Sequence, residues 1–245
     1  MIAFLRLVAL AIFAVVMFIF GCGYSLLTPR NPKLVFIIGR QFSRMAKIFG
    51  FTLELRFPDD VYDRGQHLYI ANHQNTWDLF TISAAVTPKV VTVGKKSLVW
   101  IPLFGQLYWL TGNILIDRFN RSKAKGTIDQ VVDTMKESDV SVWMFPEGTR
   151  SRGRGLLPFK TGAFHAAIGA NLSIIPIVCS TTQNKLSLNS WDNGHVIVEM
   201  LPPVSTEGYE KGDVRKLADL CREQMKNKLE ELDAEVDARK AKKAK

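Results

Sequence analysis

His73 and Asp78 are the two residues best suited to moving a proton, and they lie in one polar run, Asn72-His73-Gln74-Asn75-Thr76-Trp77-Asp78, that follows the apolar segment His67 to Ala71. An imidazole backed by a carboxylate is the equipment needed to take a proton from a hydroxyl. Five positions apart, the two cannot meet on one helix, because at about 100° per residue i and i+5 point in quite different directions. They can meet across a turn, if a strand ends near Ala71, a helix begins near Asp78, and the loop between them folds back. A plainer reading of the same residues makes Asp78 the N-cap of a helix starting at Leu79, and Asn72 the end of a strand. With four histidines, no His-Glu-x-x-His and no Cys-x-x-Cys, no metal site is expected.

A second polar block, Phe145-Pro146-Glu147-Gly148-Thr149-Arg150-Ser151, follows another apolar run far downstream. With it in view, the sequence resembles the glycerolipid acyltransferase superfamily, in particular its bacterial 1-acyl-glycerol-3-phosphate acyltransferases. Four blocks carry the resemblance, in the family's order: Asn72-His73-x4-Asp78, Gly112 to Arg118, Phe145 to Ser151, and Ile174-Ile175-Pro176-Ile177. Gly94-Lys95-Lys96-Ser97-Leu98 and the apolar N-terminus extend the match.

The resemblance implies acyl transfer from a thioester to an alcohol, with His73 as general base and Asp78 holding its tautomer. An unperturbed imidazole titrates near ~6.5 and can accept a proton at neutral pH. Gly-x-Ser-x-Gly is absent and no cysteine sits in a motif, so direct attack without an acyl-enzyme is the simpler course. Phosphate recognition suits arginine, whose planar fork matches phosphate oxygens, and the resemblance implies that the blocks carrying Arg118 and Arg150 hold the glycerol phosphate. Within the second block, Glu147 is expected to orient an arginine or bind a glycerol hydroxyl. Gly148, beside Thr149, lets backbone N–H groups approach an anion. Lys95 joins this substrate-binding set; with Lys96, Arg152 and Arg154 it makes a basic field for substrate, acyl carrier protein or coenzyme A, or else a solvated surface. Ile174 to Ile177 carries no reactive group and reads as core strand.

The elements that must position these residues are short apolar runs alternating with helical ones. Strands are expected at His67 to Ala71, Val90 to Val93, Ile114 to Ile116, Val140 to Phe145, Ile174 to Val178 and Val196 to Met200. Helices are expected at Leu79 to Val86, Thr127 to Lys136 and Ala163 to Ala170. That alternation predicts a single α/β domain with a largely parallel sheet flanked by helices, whose loops at one end share a site.

Outside this core, residues 1–52 read as membrane-anchoring helices, 53–210 as the acyltransferase domain, and 211–245 as an amphipathic helix with a disordered basic tip at Arg239 to Lys245. Leu7 to Thr28 has no charge and approaches the ~20 residues needed to span a bilayer. Arg30, Lys33, Arg40, Arg44 and Lys47 follow with no acid before Glu54, which puts the downstream side in the cytoplasm at the inner membrane. Leu34, Ile38, Phe42, Met45 and Phe49 recur at helical spacing opposite these cations; the helix is expected in the headgroup layer, or else as a core helix. Ser97 to Leu110 is aromatic and nearly uncharged, suiting core, an apolar tunnel or the membrane interface.

A net charge of +9 favours an anionic partner. A phospholipid surface or a phosphorylated substrate fits better than nucleic acid, for which no recognition motif is apparent. Cys22, Cys179 and Cys221 lack metal or redox spacing and read as reduced thiols. The expected reaction acylates lysophosphatidic acid to phosphatidic acid from an acyl-carrier-protein or coenzyme A thioester, with no cofactor. Another acceptor such as glycerol 3-phosphate, thioester hydrolysis through His73, and non-catalytic binding of anionic lipid remain the alternatives.

Overall fold

Short apolar runs bounded by turns become the strands of one sheet in the computed structural model, which describes residues 1–61, 65–117 and 121–243, with 121–125 by their backbone. The strands are β1 (Phe51–Arg56), β2 (Leu68–Ala71), β3 (Val90–Lys95), β4 (Ile114–Ile116), β5 (Ser141–Met144), β6 (Ile174–Cys179) and β7 (Gly194–Met200). Their order is β1-β7-β6-β2-β5-β3-β4. Strands β6, β2, β5, β3 and β4 are mutually parallel, so the loops that follow them emerge at one end. Strand β7 runs antiparallel to β6, and β1 runs parallel to β7. The starts of β1 and β7 therefore share that same end. Strands β2, β5 and β6 are buried throughout, which is why they read as unbroken apolar runs.

The helices are α1 (Ile2–Leu27), α2 (Pro32–Ile48), α3 (Asp78–Thr81), α4 (Phe104–Leu110), α5 (Arg121–Glu137), α6 (Gly162–Ala170) and α7 (Val214–Lys243). On one face of the sheet, Phe42 and Met45 of α2 and Phe49, its C-cap, pack with Phe80 of α3 against Tyr69, Ile175 and Val198. On the other, Met135, Phe164, Leu217 and Met225 from α5, α6 and α7 cover Leu68, Val142 and Ile197.

Two features, β1 and the end of α7, differ from the sequence expectation, and for α2 and Ser97 to Leu110 the structure selects among the alternatives. Strand β1 was not among the expected strands, although Phe51-Thr52-Leu53-Glu54-Leu55-Arg56 alternates as an edge strand should. Its charged residues are held by α7: Arg239 pairs with Glu54 at 2.5 Å and Arg56 with Glu235 at 2.6 Å. For the same reason the expected disordered tip is instead helix through Lys243. The apolar stripe of α2 faces the protein rather than lipid, since Leu34, Phe42, Met45 and Phe49 are all buried. Asn31 caps this helix by accepting from the Lys33 amide at 2.9 Å, with Pro32 in its first turn. Ser97 to Leu110 forms a short 3-10 turn and α4, and leaves Trp100 and Trp109 exposed instead of in the core.

Helix α1 runs back along α2 and is tied down at three points. The Arg6 guanidinium, buried despite its charge, donates to the carbonyls of Ile48 and Leu188, each at 2.9 Å. Those carbonyls, one at the end of α2, supply the oxygens a buried cation requires. Phe13 meets Phe42 edge-on at 5.0 Å. Gly21 lies so close to α4 that a Cβ there would fall 2.2 Å from Leu107 Cδ1. The outward face, including Phe4, Leu5, Ile12, Val16, Ile19 and Leu26, has no cover. Among the described residues α1 is the one helix long and apolar enough to cross a membrane.

Candidate active site

Strand β2 ends at Ala71 and α3 starts at Asp78, so the six residues between them form the fold-back turn that the His-x4-Asp spacing requires. Side-chain amides build this turn by standing in for backbone. Asn72 pairs both ways with Cys179, its Nδ2 donating to the carbonyl and its Oδ1 accepting from the amide, each at 2.9 Å. Gln74 donates to the Cys179 and Ser180 carbonyls at 2.9 Å and accepts from the Thr182 amide at 2.8 Å. Asn75 donates to Thr182 Oγ1 at 2.9 Å and accepts from the Trp77 amide at 2.8 Å, an Asx turn. The indole of Trp77 packs 5.3 Å from Phe49 of α2, which fixes the start of α3.

Within this frame His73 Nδ1 lies 2.6 Å from Asp78 Oδ2. An ionised carboxylate can only accept, so Nδ1 carries the proton and Nε2 keeps a free lone pair. The same Oδ2 accepts from the amides of Gln74 at 2.7 Å and Asn75 at 3.2 Å. Asp78 is thus not the N-cap of α3 but its first residue, and its carboxylate serves the turn. Its side chain is 5% exposed and that of His73 20%, so the acid is buried while the ring reaches the surface. The imidazole stacks on Phe145, centroids 4.2 Å apart and 20° from parallel, which leaves it little freedom to tilt.

The block after β5 is joined to this turn through backbone. The Ser151 amide donates to the His73 carbonyl at 2.8 Å and the Arg152 amide to the Gln74 carbonyl at 2.9 Å. Glu147, buried between them, departs from expectation: Oε1 accepts from the His73 amide at 2.6 Å and Oε2 from the Leu157 amide at 2.9 Å. Both carboxylate oxygens hold backbone, so Glu147 sets the position of His73. Burial pushes its carboxyl above the usual range, opposed by the two amide hydrogen bonds.

Arg150 and Thr149 are exposed on the rim of the site; the Arg150 guanidinium has one long contact, 3.4 Å to Thr76 Oγ1. Gly148 has φ +68°, and a Cβ there would fall within 3.0 Å of Lys160 Nζ. The left-handed backbone favours glycine, and a side chain there would displace the lysine that crosses it. Lys160 was absent from the sequence reading, because a lone lysine among turn residues has no pattern; tertiary approach alone brings it beside Gly148. Lys95 ends β3, two strands from β2, opposite Ile116 of β4. Arg118, two positions beyond β4, lies outside the described residues. Arg152 is exposed, whereas Arg154 is occupied with the Ser151 carbonyl at 2.8 Å. Ile174 to Ile177 is core strand β6.

The Asn72–Asp78 and Glu147–Arg150 turns therefore follow the adjacent parallel strands β2 and β5, and Lys95 ends the next strand, β3, so all three lie at one end of the sheet. That arrangement supplies a hydrogen-bonded base beside cations on an open rim.

Comparison with known proteins bears on what this geometry serves. An acyltransferase family model matches residues 52–180. The chain is 58% identical over 236 residues to the 1-acyl-sn-glycerol-3-phosphate acyltransferase of Escherichia coli strain K12, covering 96% of each. It is 50% identical to that of Haemophilus influenzae, over 96% of this chain and 98% of the other. The mouse 1-acyl-sn-glycerol-3-phosphate acyltransferase alpha is 36% identical over 80% of this chain and 70% of its own. The crystal structure of the 1-acyl-sn-glycerophosphate acyltransferase PlsC from Thermotoga maritima superposes with a TM-score of 0.75 at 20% identity, covering 95% of both chains, and so shares the fold.

Proposed function

This chain belongs to the acyltransferase family, and from that premise we propose how its site works. The reaction is transfer of an acyl chain to 1-acyl-sn-glycerol 3-phosphate, the activity of its full-length relatives. In our reading the donor is an acyl-carrier-protein or coenzyme A thioester, and the acceptor's sn-2 hydroxyl lies against His73 Nε2. Nε2 takes the hydroxyl proton as the oxygen attacks the thioester carbonyl. Asp78 stabilises the imidazolium that forms. The tetrahedral intermediate then expels the thiolate, which recovers the proton from Nε2–H. The closing bond is the ester of phosphatidic acid, and no acyl-enzyme intervenes. Arg150 and Lys160 grip the acceptor's phosphate, with Lys95 and Arg118 completing the set. Glu147 acts through the backbone of His73.

The observation that carries this reading is the 2.6 Å contact of His73 Nδ1 with Asp78, held on the same turn system as the exposed Arg150. Its test is to incubate purified protein with labelled acyl donor, with and without lysophosphatidic acid. Labelled phosphatidic acid that needs the acceptor is expected; free fatty acid formed at the same rate without acceptor would replace transferase by hydrolase.

The bare outer face of α1 supports attachment to a membrane. A helix of 26 residues is about 39 Å long at 1.5 Å per residue. Because α1 is tied to the domain near both ends, our reading lays it within one leaflet at the cytoplasmic face of the inner membrane. The exposed Lys33, Arg44 and Lys47 of α2 then stand at headgroup level. Accessibility of residues near both ends of α1 to a membrane-impermeant label distinguishes this from a crossing helix, whose two ends would differ.

A further inference from the structure

The lysine-rich end of α7 lies beside α1 and not away from it. One loop, residues 187–193, brings the two together. Its Ser187 and Leu188 carbonyls accept from Arg6 of α1, and Asn189 Oδ1 accepts from the Ala3 amide at 3.1 Å. Asn193 Nδ2 donates to the Phe49 carbonyl at the end of α2 at 2.7 Å. Asp192 pairs with Lys243 in the last turn of α7. Gly50, φ +78°, allows this closeness, since a Cβ there would fall 2.3 Å from the Trp191 carbonyl oxygen. First turn of α1, last turn of α2 and last turn of α7 are thereby gathered at one corner of the molecule.

That corner combines two chemistries. Trp191 of this loop stands 77% exposed, and Ile48, whose carbonyl holds Arg6, is exposed at the end of α2. Near the ends of α2 and α7, Arg44, Lys47, Lys240 and Lys242 are exposed with no ion pair among the described residues, while the loop's own acid is neutralised by Lys243. An exposed indole and an apolar helix face gathered at the same corner as exposed cations is the composition that suits a negatively charged lipid surface. We infer that the last turn of α7 and Trp191 form a second membrane contact that recognises anionic lipid headgroups. This rests on the membrane reading above and adds the cations of α7 to those of α2, giving a lipid preference that α1, uncharged on its outer face, does not supply. Lysines in a last helical turn also complement the helix dipole. That role alone would affect helix stability but not the choice between lipids.

The test uses the full chain, diluted from detergent into a mixture of phosphatidylcholine vesicles and phosphatidylcholine vesicles containing phosphatidylglycerol, carrying different dyes and separated after binding. The unaltered protein collects on the anionic vesicles. The double variant Lys240→Gln/Lys242→Gln still binds both populations but loses about 30-fold in anionic preference, the equivalent of two cations at about 1 kcal/mol each. Arginine at both positions keeps the preference, and acyl transfer in detergent stays unchanged, which verifies folding. In a Cys22→Ser background, a fluorophore on Trp191→Cys becomes shielded from iodide when anionic vesicles are added. An undiminished preference in the glutamine variant, or a label equally quenched on and off vesicles, overturns the inference and leaves the membrane reading standing. Binding to neither population would instead overturn that reading.

Discussion

The His73–Asp78 turn and the cationic rim adjoin each other but are built in opposite ways. In residues 72–78 the amides of Asn72, Gln74 and Asn75 are hydrogen-bonded to neighbouring backbone or to Thr182, and Asp78 Oδ2 accepts three times. On the rim, Arg150 has one contact at 3.4 Å, and Lys160 lies exposed across Gly148. The roles proposed for the two regions account for the difference. Proton transfer tolerates little error in distance or tautomer, so its groups are fixed before substrate arrives. Charges that bind a phosphate lose least by staying hydrated until it comes, and their ordering is then part of the cost of binding. Damage to the turn should therefore appear in kcat, and damage to the rim in KM for the phosphorylated acceptor.

The largest effect tests the turn directly. His73→Ala should lower kcat by about 10²–10⁴-fold, the usual yield of base catalysis, while the protein still partitions with membranes. Labelled phosphatidic acid formed at an undiminished rate would remove His73 from the mechanism. Asp78→Asn should follow at about 10²-fold, because a neutral amide neither stabilises the imidazolium nor specifies its tautomer. A fall in acceptor affinity with kcat preserved would transfer Asp78 from the turn's chemistry to the rim's.

Glu147 lies on the border between the two regions and sharpens the contrast. Glu147→Gln exchanges one accepting oxygen for a donor that faces a backbone N–H, so either His73 or Leu157 loses its partner. The expected cost is about 1–3 kcal/mol in stability, with kcat falling about tenfold and acceptor KM little changed. The pH dependence has a definite sign. Burial raises this carboxyl in the folded protein, so between its ordinary and its raised value the folded state holds more protons than the unfolded one. Stability contributed by the site therefore falls as pH rises through that window. The glutamine variant lacks this component, and thermal unfolding of both proteins across the carboxylate range should reveal it as a difference. Parallel curves would show that the carboxyl does not titrate there.

How far these distinctions could be read from the sequence depends on the range of the interactions. The fold-back of His73 onto Asp78 follows from local spacing between a strand and a helix, and the common end of β2, β5 and β3 follows from the α/β alternation. What Glu147 holds does not, because its partners are backbone amides brought close by the pairing of residues 73–74 with 151–152. The amphipathic pattern of α2 is equally satisfied by lipid or by Phe80 and Tyr69, and only the packed structure decides for the latter. Strand β1 carried its alternation openly, but the partners that hold its charges, Glu235 and Arg239 of α7, lie far along the chain and only the fold brings them close.

The smallest effects belong to the rim and test whether it acts as one unit. Arg150→Lys keeps the charge but loses the planar fork, and should raise KM for lysophosphatidic acid about fivefold to tenfold, with kcat within about twofold. Lys160→Met keeps the chain that crosses Gly148 and removes only the ammonium; a similar rise is expected, with KM for the acyl donor unchanged. If both cations hold the same phosphate, the double variant should lose less than the product of the single losses, since a headgroup already loosened by one change gains less from the other. Strictly multiplicative losses would mean that the two bind different groups, and a selective rise in donor KM for Lys160→Met would assign that lysine to the thioester carrier in place of the lipid phosphate.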